Sequence, residues 1–347
     1  MPLAGLRVGY LPCAKSLLHP GDRRRFAFYA ARRGIEFEIA DPTKAYDVVV
    51  LSELADLSVW HQYIGGKIVF DLIDSYLAIP RDDLRGRLRG TAKFVTRQSR
   101  HLQADYWHAV ELMCRRANAV VCTTLEQQRD IKPYCANVHI ILDAHGMLQS
   151  GAKTQYRSGS TFKLLWEGMP QNLAPMRRLE PVLKRLQQRH TLELHLITDL
   201  EFGRFMGRYG RIRTEDLARN LCAKVILHPW QEKSFAATAI NCDLAVVPLD
   251  LDDPFSAGKP ENKLLLFWKL GIPAVVSATP AYARAMQSVD LAMACGSGAE
   301  WEATLDMHIT DEAARRHAGE IGKRYADIHF SEDVLLGRWD ALFRSLN

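Results

Sequence analysis

Hydrophobic residues in this chain come in short, continuous runs separated by stretches with helical spacing. The runs at residues 6–11, 47–51 and 244–248 do not alternate with polar residues, which is typical of strands buried on both faces of a parallel sheet. Between such runs, apolar residues recur at about every third or fourth position, as in amphipathic helices. The repeated alternation predicts an α/β protein built on doubly wound parallel sheets.

A polar stretch interrupts this alternation. Residues 148–160 read LQSGAKTQYRSGS and show no periodicity, which predicts a linker. Strands and helices resume at residue 162. We therefore predict two Rossmann-like domains facing across a cleft, an N-terminal domain at residues 1–150 and a C-terminal domain at residues 160–330.

The most informative stretch runs from residue 241 to residue 282. A buried strand stops at Pro248, a long acidic loop follows, and KPENK at residues 259–263 has the composition of a helix start. Ligands of parallel sheets bind at the carboxyl ends of strands, and helix N-termini attract anions. Lys259 and Lys263 lie one helical turn apart, so we predict that they and the neighbouring amides bind a phosphate or diphosphate. The alternative of a packing unit with solvated lysines stays open.

The order CDLAVVPL, acidic loop, GKPENKLL, LGIPAVVSATPAY in this stretch resembles the donor-binding half of the GT-B glycosyltransferases, specifically the retaining family 4, also called glycosyltransferase group 1. The resemblance extends upstream through residues 164–168 and 228–230, so it covers most of residues 160–346. It implies the GT-B architecture, in which a C-terminal helix, here at about 331–347, packs back on the N-terminal acceptor domain. The C-terminal domain then binds the nucleotide-sugar donor.

The resemblance also implies an activity. A hexosyltransferase-like enzyme of this family moves a sugar from a nucleotide diphosphate donor, of the UDP or GDP type, to an acceptor hydroxyl, with retention at the anomeric carbon. It needs no metal and no cofactor. Synthesis of surface polysaccharides or glycoconjugates is the expected setting.

Candidate site residues follow from the resemblance and from the positions of strand ends. Asp71 and Asp74 lie where a predicted strand ends, and either can accept a proton from, or hydrogen-bond, the acceptor hydroxyl; alternatively, Asp74 caps a helix. The predicted catalytic residues are Glu261, which approaches the sugar, Asp71 and Asp74. The predicted donor-binding residues are Gly258, Lys259, Asn262, Lys263, Arg177 with its neighbour Arg178, and Trp230. Trp230 would stack on the nucleobase, or alternatively belongs to the core.

Some positions depart from the family pattern. Leu266 stands where the family has a Glu that holds the ribose, and residues 143–146, DAHG, replace an interdomain Pro-Asn-Gly loop. Two other functions therefore stay open: a non-catalytic sugar-binding or partner-binding protein, and a sugar-nucleotide epimerase on the same fold. The first predicted strand leads to Pro12 rather than to Gly-x-Gly-x-x-Gly, which argues against a dehydrogenase.

An Asp-x-Asp pattern at residues 250–252 matches the metal-binding motif of the other major glycosyltransferase fold. That fold has one sheet domain, whereas this chain predicts two, so we predict no metal site. Cys122, Cys135 and His139 lack a fourth ligand and paired spacing, which favours buried thiols over a zinc site.

Composition sets the remaining limits. The 347 residues, 48% of them hydrophobic, suit two domains with their own cores. A formal charge of +5 suits an anionic ligand but is no nucleic-acid footprint. The basic stretch at residues 81–100 fits either peripheral contact with an anionic membrane or a solvated face. The sequence does not indicate an oligomeric state.

Seven scattered cysteines, an odd number without a C-x-x-C pair, indicate a reducing compartment. The N-terminal residues lack the order of a signal peptide, and no stretch reaches the roughly 18 apolar residues of a membrane span. We therefore expect a cytoplasmic protein, with peripheral contact at the inner face of the membrane as a further expectation.

Overall fold

The structure is a computed structural model, and it describes residues 2–96, 98–103, 105–145, 151–203 and 210–346, without the side chains of residues 84–88. The chain divides into two compact units. The first unit comprises Met1–His145, Asp253–Pro260 and Ser331–Asn347, and the second comprises Gly146–Asp252 and Glu261–Phe330. Part of the predicted linker at residues 148–160 lies outside the described residues.

Strands and helices alternate through the first part of the chain. The strands are β1 (Val8–Leu11), β2 (Glu38–Ile39), β3 (Val48–Ser52), β4 (Lys67–Asp71), β5 (Ala119–Cys122) and β6 (Val138–Ile140). The helices are α1 (Pro20–Arg23), α2 (Phe26–Arg33), α3 (Leu57–Trp60), α4 (Leu84–Val95), α5 (Tyr106–Arg116) and α6 (Leu125–Ile131), with a 3-10 helix at Tyr76–Ala78.

The alternation resumes in the second part. The strands are β7 (Phe162–Glu167), β8 (Leu192–Thr198), β9 (Glu201–Gly203), β10 (Arg211–Arg213), β11 (Val225–Pro229), β12 (Leu244–Val247), β13 (Ala274–Ser277) and β14 (Ala294–Cys295). The helices are α7 (Met176–Leu186), α8 (Thr214–Ala218), α9 (Glu232–Ile240), α10 (Pro254–Ala257), α11 (Asn262–Lys269), α12 (Pro280–Gln287), α13 (Gly298–Thr310), α14 (Glu312–His329) and α15 (Glu332–Arg344), with a 3-10 helix at Pro170–Leu173.

Each unit is built on a parallel sheet. Within the described residues, the sheet of the first unit has six strands in the order β2-β1-β3-β4-β5-β6. Over the same part of the chain, the second unit has six parallel strands in the order β11-β8-β7-β12-β13-β14. The predicted α/β class with two doubly wound parallel sheets is therefore confirmed. In such sheets ligands bind outside the carboxyl ends of the strands, so these ends are where site residues are to be sought.

The first unit has hydrophobic residues on both faces of its sheet. Along β3, Val48 and Val50 pack into one cluster while Val49 and Leu51 pack into the other, which explains why this strand reads as a continuous apolar run. The final helix α15 contributes to the cluster of Val48 and Val50: Trp339 stacks on Tyr29 with ring centroids 5.8 Å apart. The terminal helix is thus part of the first unit's core.

The loop after β12 differs from the expectation. Sequence composition predicts a helix that starts at Pro260, but α11 starts at Asn262, and a separate short helix, α10, lies within the loop. The side chain of Asp253 caps α10 by accepting hydrogen bonds from the amides of Phe255 and Ser256. Pro254, which comes directly after this cap, therefore occupies the first helical position that the prediction gave to Pro260.

The antiparallel hairpin of β9 and β10 is not predicted from the sequence. Among the described residues, no helix combines the length and the apolar character needed to cross a bilayer.

Candidate functional site

Asp71 ends β4 in the first unit and is tied into a buried ion pair. The Arg25 guanidinium donates to both carboxylate oxygens of Asp71, at 2.8 and 2.6 Å, and to Asp143 Oδ1 at 3.1 Å. The side chains of Arg25 and Asp71 are 0% and 5% exposed. Bidentate pairing in this geometry occupies the carboxylate. The pair fixes the end of β4. Each oxygen of Asp71 can still accept a further hydrogen bond, so its predicted catalytic role stays a prediction.

Asp74 lies three residues farther along, beside a carboxyl group that the sequence prediction missed. The Asp74 amide donates to Glu53 Oε2 at 3.0 Å. Burial raises the pKa of Asp74, while the charges of Lys259 and Arg89 act in the opposite direction. Burial, reinforced by the Asp74 carboxylate, raises the pKa of Glu53 to about 8. Glu53 directly follows β3, so the rule that singled out Asp71 and Asp74, an acidic residue just after a buried strand, would also have found it.

Gly258 and Lys259 belong to the first unit and contact the same loop. Ser75 Oγ donates to the Gly258 carbonyl at 3.0 Å. A Cβ at Gly258 would lie 2.7 Å from Ser75 Oγ and 2.8 Å from Ser75 Cβ, so this close approach requires glycine. The rings of Phe255 and Tyr76 pack 5.6 Å apart beside it. The structure therefore brings Gly258 and Lys259, predicted to bind a donor, together with Asp74, predicted to meet an acceptor.

Lys263 lies in the first turn of α11 in the second unit. Its ammonium donates to the Glu167 carboxylate at 2.8 Å and also to the Glu167 carbonyl, at the end of β7. A Cβ at Gly168 would lie 2.9 Å from Lys263 Nζ, so a larger residue at position 168 would crowd the ammonium group. An anion that binds Lys263 must therefore share it with, or take it from, Glu167.

Arg178, and not Arg177, reaches the acidic loop after β12. The Arg178 guanidinium donates to Asp250 at 2.7 Å and to Asp252 at 3.1 Å. Arg177 instead lines a cavity of about 190 Å³ with Glu180, Asp216, Leu217, Asn220 and Leu221. Successive residues of a helix point in different directions, which separates these neighbours. Both carboxylates of the Asp-x-Asp pattern, Asp250 and Asp252, therefore form ion pairs with Arg178.

Glu261, Asn262 and Trp230 complete the predicted set. Glu261 occupies the N-cap position of α11 without a capping hydrogen bond from its side chain, and its charge helps to raise the pKa of the buried Tyr282. Asn262 is the first residue of the helix. Trp230 follows β11 and donates its amide to the Thr198 carbonyl at 3.0 Å. In the sheet, β8 and β7 separate β11, which Trp230 follows, from β12, the strand that precedes α11 in the chain.

Cys13, His19 and Asp22 place candidate ligand atoms within 4.8 Å of one another after β1. The Asp22 carboxylate accepts hydrogen bonds from the Tyr10 hydroxyl and from the amides of Cys13 and Ala14. Burial raises the pKa of the Cys13 thiol to about 12. This group therefore organises the loop after β1 through hydrogen bonds.

Comparison with known proteins identifies the fold. No protein-family profile matches the chain, and no curated protein sequence matches it either. Solved structures do. WaaG, a glycosyltransferase involved in lipopolysaccharide biosynthesis, is 15% identical with a TM-score of 0.60, and the match covers 96% of this chain and 98% of WaaG.

Two further structures resemble the chain. A UDP-forming α,α-trehalose-phosphate synthase from Burkholderia vietnamiensis is 12% identical with a TM-score of 0.55, covering 88% of this chain and 72% of the synthase. TarM is 10% identical with a TM-score of 0.59, and the match covers 85% of this chain but 54% of TarM. Together with the two parallel sheets, these likenesses show that the chain has the fold of the GT-B glycosyltransferases.

Proposed function

We propose that the protein is a glycosyltransferase that moves a sugar from a nucleoside diphosphate donor, of the UDP or GDP type, to a hydroxyl acceptor. The observation that carries the proposal is the GT-B fold, matched along nearly the whole length of a lipopolysaccharide glycosyltransferase. The UDP-forming synthase on the same fold supports a uridine nucleotide donor. Retention at the anomeric carbon and independence from metal are parts of the proposal that rest on the family resemblance.

The donor's diphosphate binds, in this proposal, at the start of α11. Lys263 and the backbone amides of the first turn of α11 supply positive charge there, and the helix dipole adds to the attraction. Charge that develops on the departing diphosphate is stabilised by groups already in place. Glu261, at the N-cap, contacts the sugar. Arg178 is a further cation of the second unit, paired with Asp250 in the loop after β12, and it replaces Arg177 as our candidate.

The acceptor binds, in this proposal, at the carboxyl ends of β3 and β4 in the first unit. Asp74 and Glu53 provide carboxyl groups that can hydrogen-bond a hydroxyl. Lys259 supports them through its charge beside Asp74. Asp71 supports the site indirectly, because its ion pair with Arg25 fixes the end of β4.

Thermal unfolding in the presence of UDP, GDP, ADP and CDP tests the donor part. At about 100 times its dissociation constant, a nucleotide that binds the folded protein adds about 2.7 kcal/mol to the free energy of unfolding. We expect UDP or GDP to raise the melting temperature. An NMR assay of the product anomer then tests retention, and an inverted product would contradict that part. Binding of sugar nucleotides with no transfer to any acceptor would instead favour the non-catalytic binding protein.

We further propose a reducing compartment as the site of action, which the seven free cysteines of the chain support. Contact with an anionic membrane stays a prediction. Of the basic stretch, Arg89 and Lys93 donate to the hydroxyls of Tyr76 and Tyr106, and the side chains of residues 85, 87 and 97 lie outside the described residues.

A further inference from the structure

Ser52, the last residue of β3, has a buried hydroxyl that the described residues leave without a well-formed hydrogen bond. The residue is 3% exposed. The Cys13 thiol is the neighbouring group: its interaction with the Ser52 hydroxyl acts to lower the pKa of Cys13, whereas the charges of Glu53 and Asp71 act to raise it. Because a buried hydroxyl without a partner loses its hydrogen bonds to water, this position suits a ligand that brings a hydrogen-bonding group.

Glu53, the next residue, has a hydrogen bond on only one of its two carboxyl oxygens within the described part of the chain. Its Oε2 accepts from the Asp74 amide at 3.0 Å, whereas Oε1 makes no hydrogen bond to any described residue. Asp71 provides the contrast, since Arg25 engages both of its oxygens. The charged and titratable groups that act on Glu53, or on which Glu53 acts, are Asp74, Asp71, Arg25, Tyr76 and Cys13.

These surroundings determine which chemistry fits. Burial and the neighbouring carboxylates raise the pKa of Glu53 to about 8, so the carboxyl group carries a proton at neutral pH. A carboxylic acid and a hydroxyl can each donate and accept a hydrogen bond. The hydroxyls of a sugar have the same double capacity. A phosphate, in contrast, brings negative charge next to Asp74 and Asp71. Arg25, the cation that acts on Glu53, is already committed to a carboxylate, whereas Lys259 and Arg89 act on Asp74.

We propose that Ser52 and Glu53 bind two neighbouring hydroxyls of an uncharged sugar ring, and that this ring is the acceptor. The inference rests on the proposed glycosyltransferase function and narrows it, since it names the acceptor as a neutral sugar unit rather than a sugar phosphate. Glu53 acts as an acceptor-binding residue through its free carboxyl oxygen, and Ser52 binds the adjacent hydroxyl.

Saturation-transfer NMR tests this binding without any requirement for turnover. The probes are the methyl glycosides of glucose, galactose, mannose and N-acetylglucosamine, each compared with glucose 6-phosphate. We expect at least one methyl glycoside to bind in preference to the phosphate. Glu53→Ala and Ser52→Ala should each weaken that binding about tenfold. Glu36→Gln, the same change of charge at an exposed position, serves as the control for Glu53→Gln and should leave binding unchanged.

The pH dependence provides a readout that a purely structural role would not affect. In the wild type, binding should weaken as the pH rises through about 8, because Glu53 then loses the proton that it donates. In Glu53→Gln the amide keeps a donor and an acceptor, so binding should persist and no longer depend on pH. Unchanged binding in both Ser52→Ala and Glu53→Ala, or preference for the phosphate, would overturn the inference.

Failure of the proposed function is recognised separately. Consumption of nucleotide sugars by water needs no acceptor, so its complete absence in the wild type would count against glycosyl transfer. The sugar-binding result would still decide the roles of Ser52 and Glu53.

Discussion

The carboxyl ends of the two sheets treat charge differently. In the first unit, Arg25 and Asp71 are 0% and 5% exposed and form a bidentate pair. In the second unit, Arg178 and Asp250 are 52% and 31% exposed, and Lys263 and Glu167 are 31% and 10% exposed. Both partners are therefore desolvated at the first sheet edge, whereas each pair at the second edge has a cation that remains partly exposed to solvent.

This difference suggests a division of labour. A buried pair cannot change partners without a large desolvation cost, so it can fix a backbone but cannot bind an incoming ion. Pairs open to water are worth little individually and can exchange partners. The edge of the first unit thus suits a neutral hydroxyl ligand, while the edge of the second suits an anion such as a diphosphate.

Among the variants that test this comparison, we expect Arg25→Ala to have the largest effect on stability. It leaves the Asp71 and Asp143 carboxylates without their shared cation, so we expect the free energy of unfolding to fall by about 3–5 kcal/mol. Arg7→Ala is the control, since Arg7 pairs with Glu38 at 53% and 38% exposure and should cost under about 1 kcal/mol. Urea denaturation measures both. Equal losses in the two variants would show that the Arg25 pair is no more fixed than a surface pair.

Lys263→Ala tests the open edge of the second unit. If Lys263 stabilises the departing diphosphate, turnover should fall by the equivalent of about 2.7–4 kcal/mol, or about 10²–10³-fold. Steady-state kinetics with the preferred nucleotide sugar measures this. Lys184→Ala, which removes an exposed i,i+4 pair with Glu180, should leave turnover unchanged.

Glu167→Gln sharpens the same test, because it removes the carboxylate that competes for Lys263. Affinity for UDP or GDP should then increase rather than decrease. A loss of affinity in Glu167→Gln, together with normal turnover in Lys263→Ala, would remove this pair from the donor site.

Gly258→Ala tests the docking of the 253–260 segment on the first unit. The new Cβ would lie 2.7 Å from Ser75 Oγ, and such overpacking costs about 1–3 kcal/mol. Gly337→Ala is the control: it lies in α15 with no atom within 4 Å of the new Cβ, and a helical alanine should add about 0.5–1 kcal/mol. Melting curves should therefore shift in opposite directions. A stable Gly258→Ala variant would show that this contact does not hold the segment.

Glu53→Gln gives the smallest expected effect on stability, and its sign depends on pH. The pKa of Glu53 is about 8 in the folded protein and about 4.3 in an unfolded chain. The folded state thus binds more protons between these values, so the wild type loses stability as the pH rises through that window. At about pH 8 we expect Glu53→Gln to be more stable than the wild type by about 1–2 kcal/mol, and near pH 4.5 the difference should vanish. Urea titrations at both pH values test this, with Glu36→Gln as the control.

The sequence predicts the fold better than the site. Continuous apolar runs such as that of β3 report burial on both faces of a sheet, a local property of the chain that reads directly as a parallel strand. The ion-pair partner of a charged side chain, in contrast, can lie far away in the sequence. Asp71 and Asp74 look alike in the sequence, yet Arg25, 46 residues away, engages only Asp71. The pairing of Lys263 with Glu167 spans 96 residues, and no periodicity reports it.

The sequence pattern also did not predict the short helix α10. Pro254 and Pro260 both lie in the loop after β12, and by composition either could begin a helix. The side chain of Asp253 caps α10, so a helix begins at Pro254. Glu53 could have been found, since it follows a buried strand as Asp71 does. What the sequence alone did not contain is its burial next to Asp74, which depends on how the ends of β3 and β4 lie together.

Release of nucleoside diphosphate from a panel of UDP-sugars and GDP-sugars tests the central claim most directly. The account predicts that the wild type releases UDP or GDP from at least one donor, faster when a neutral methyl glycoside is present, and that Lys263→Ala reduces this release about 10²–10³-fold. No release from any donor, in a protein that also gains no thermal stability from UDP or GDP, would contradict the assignment as a glycosyltransferase.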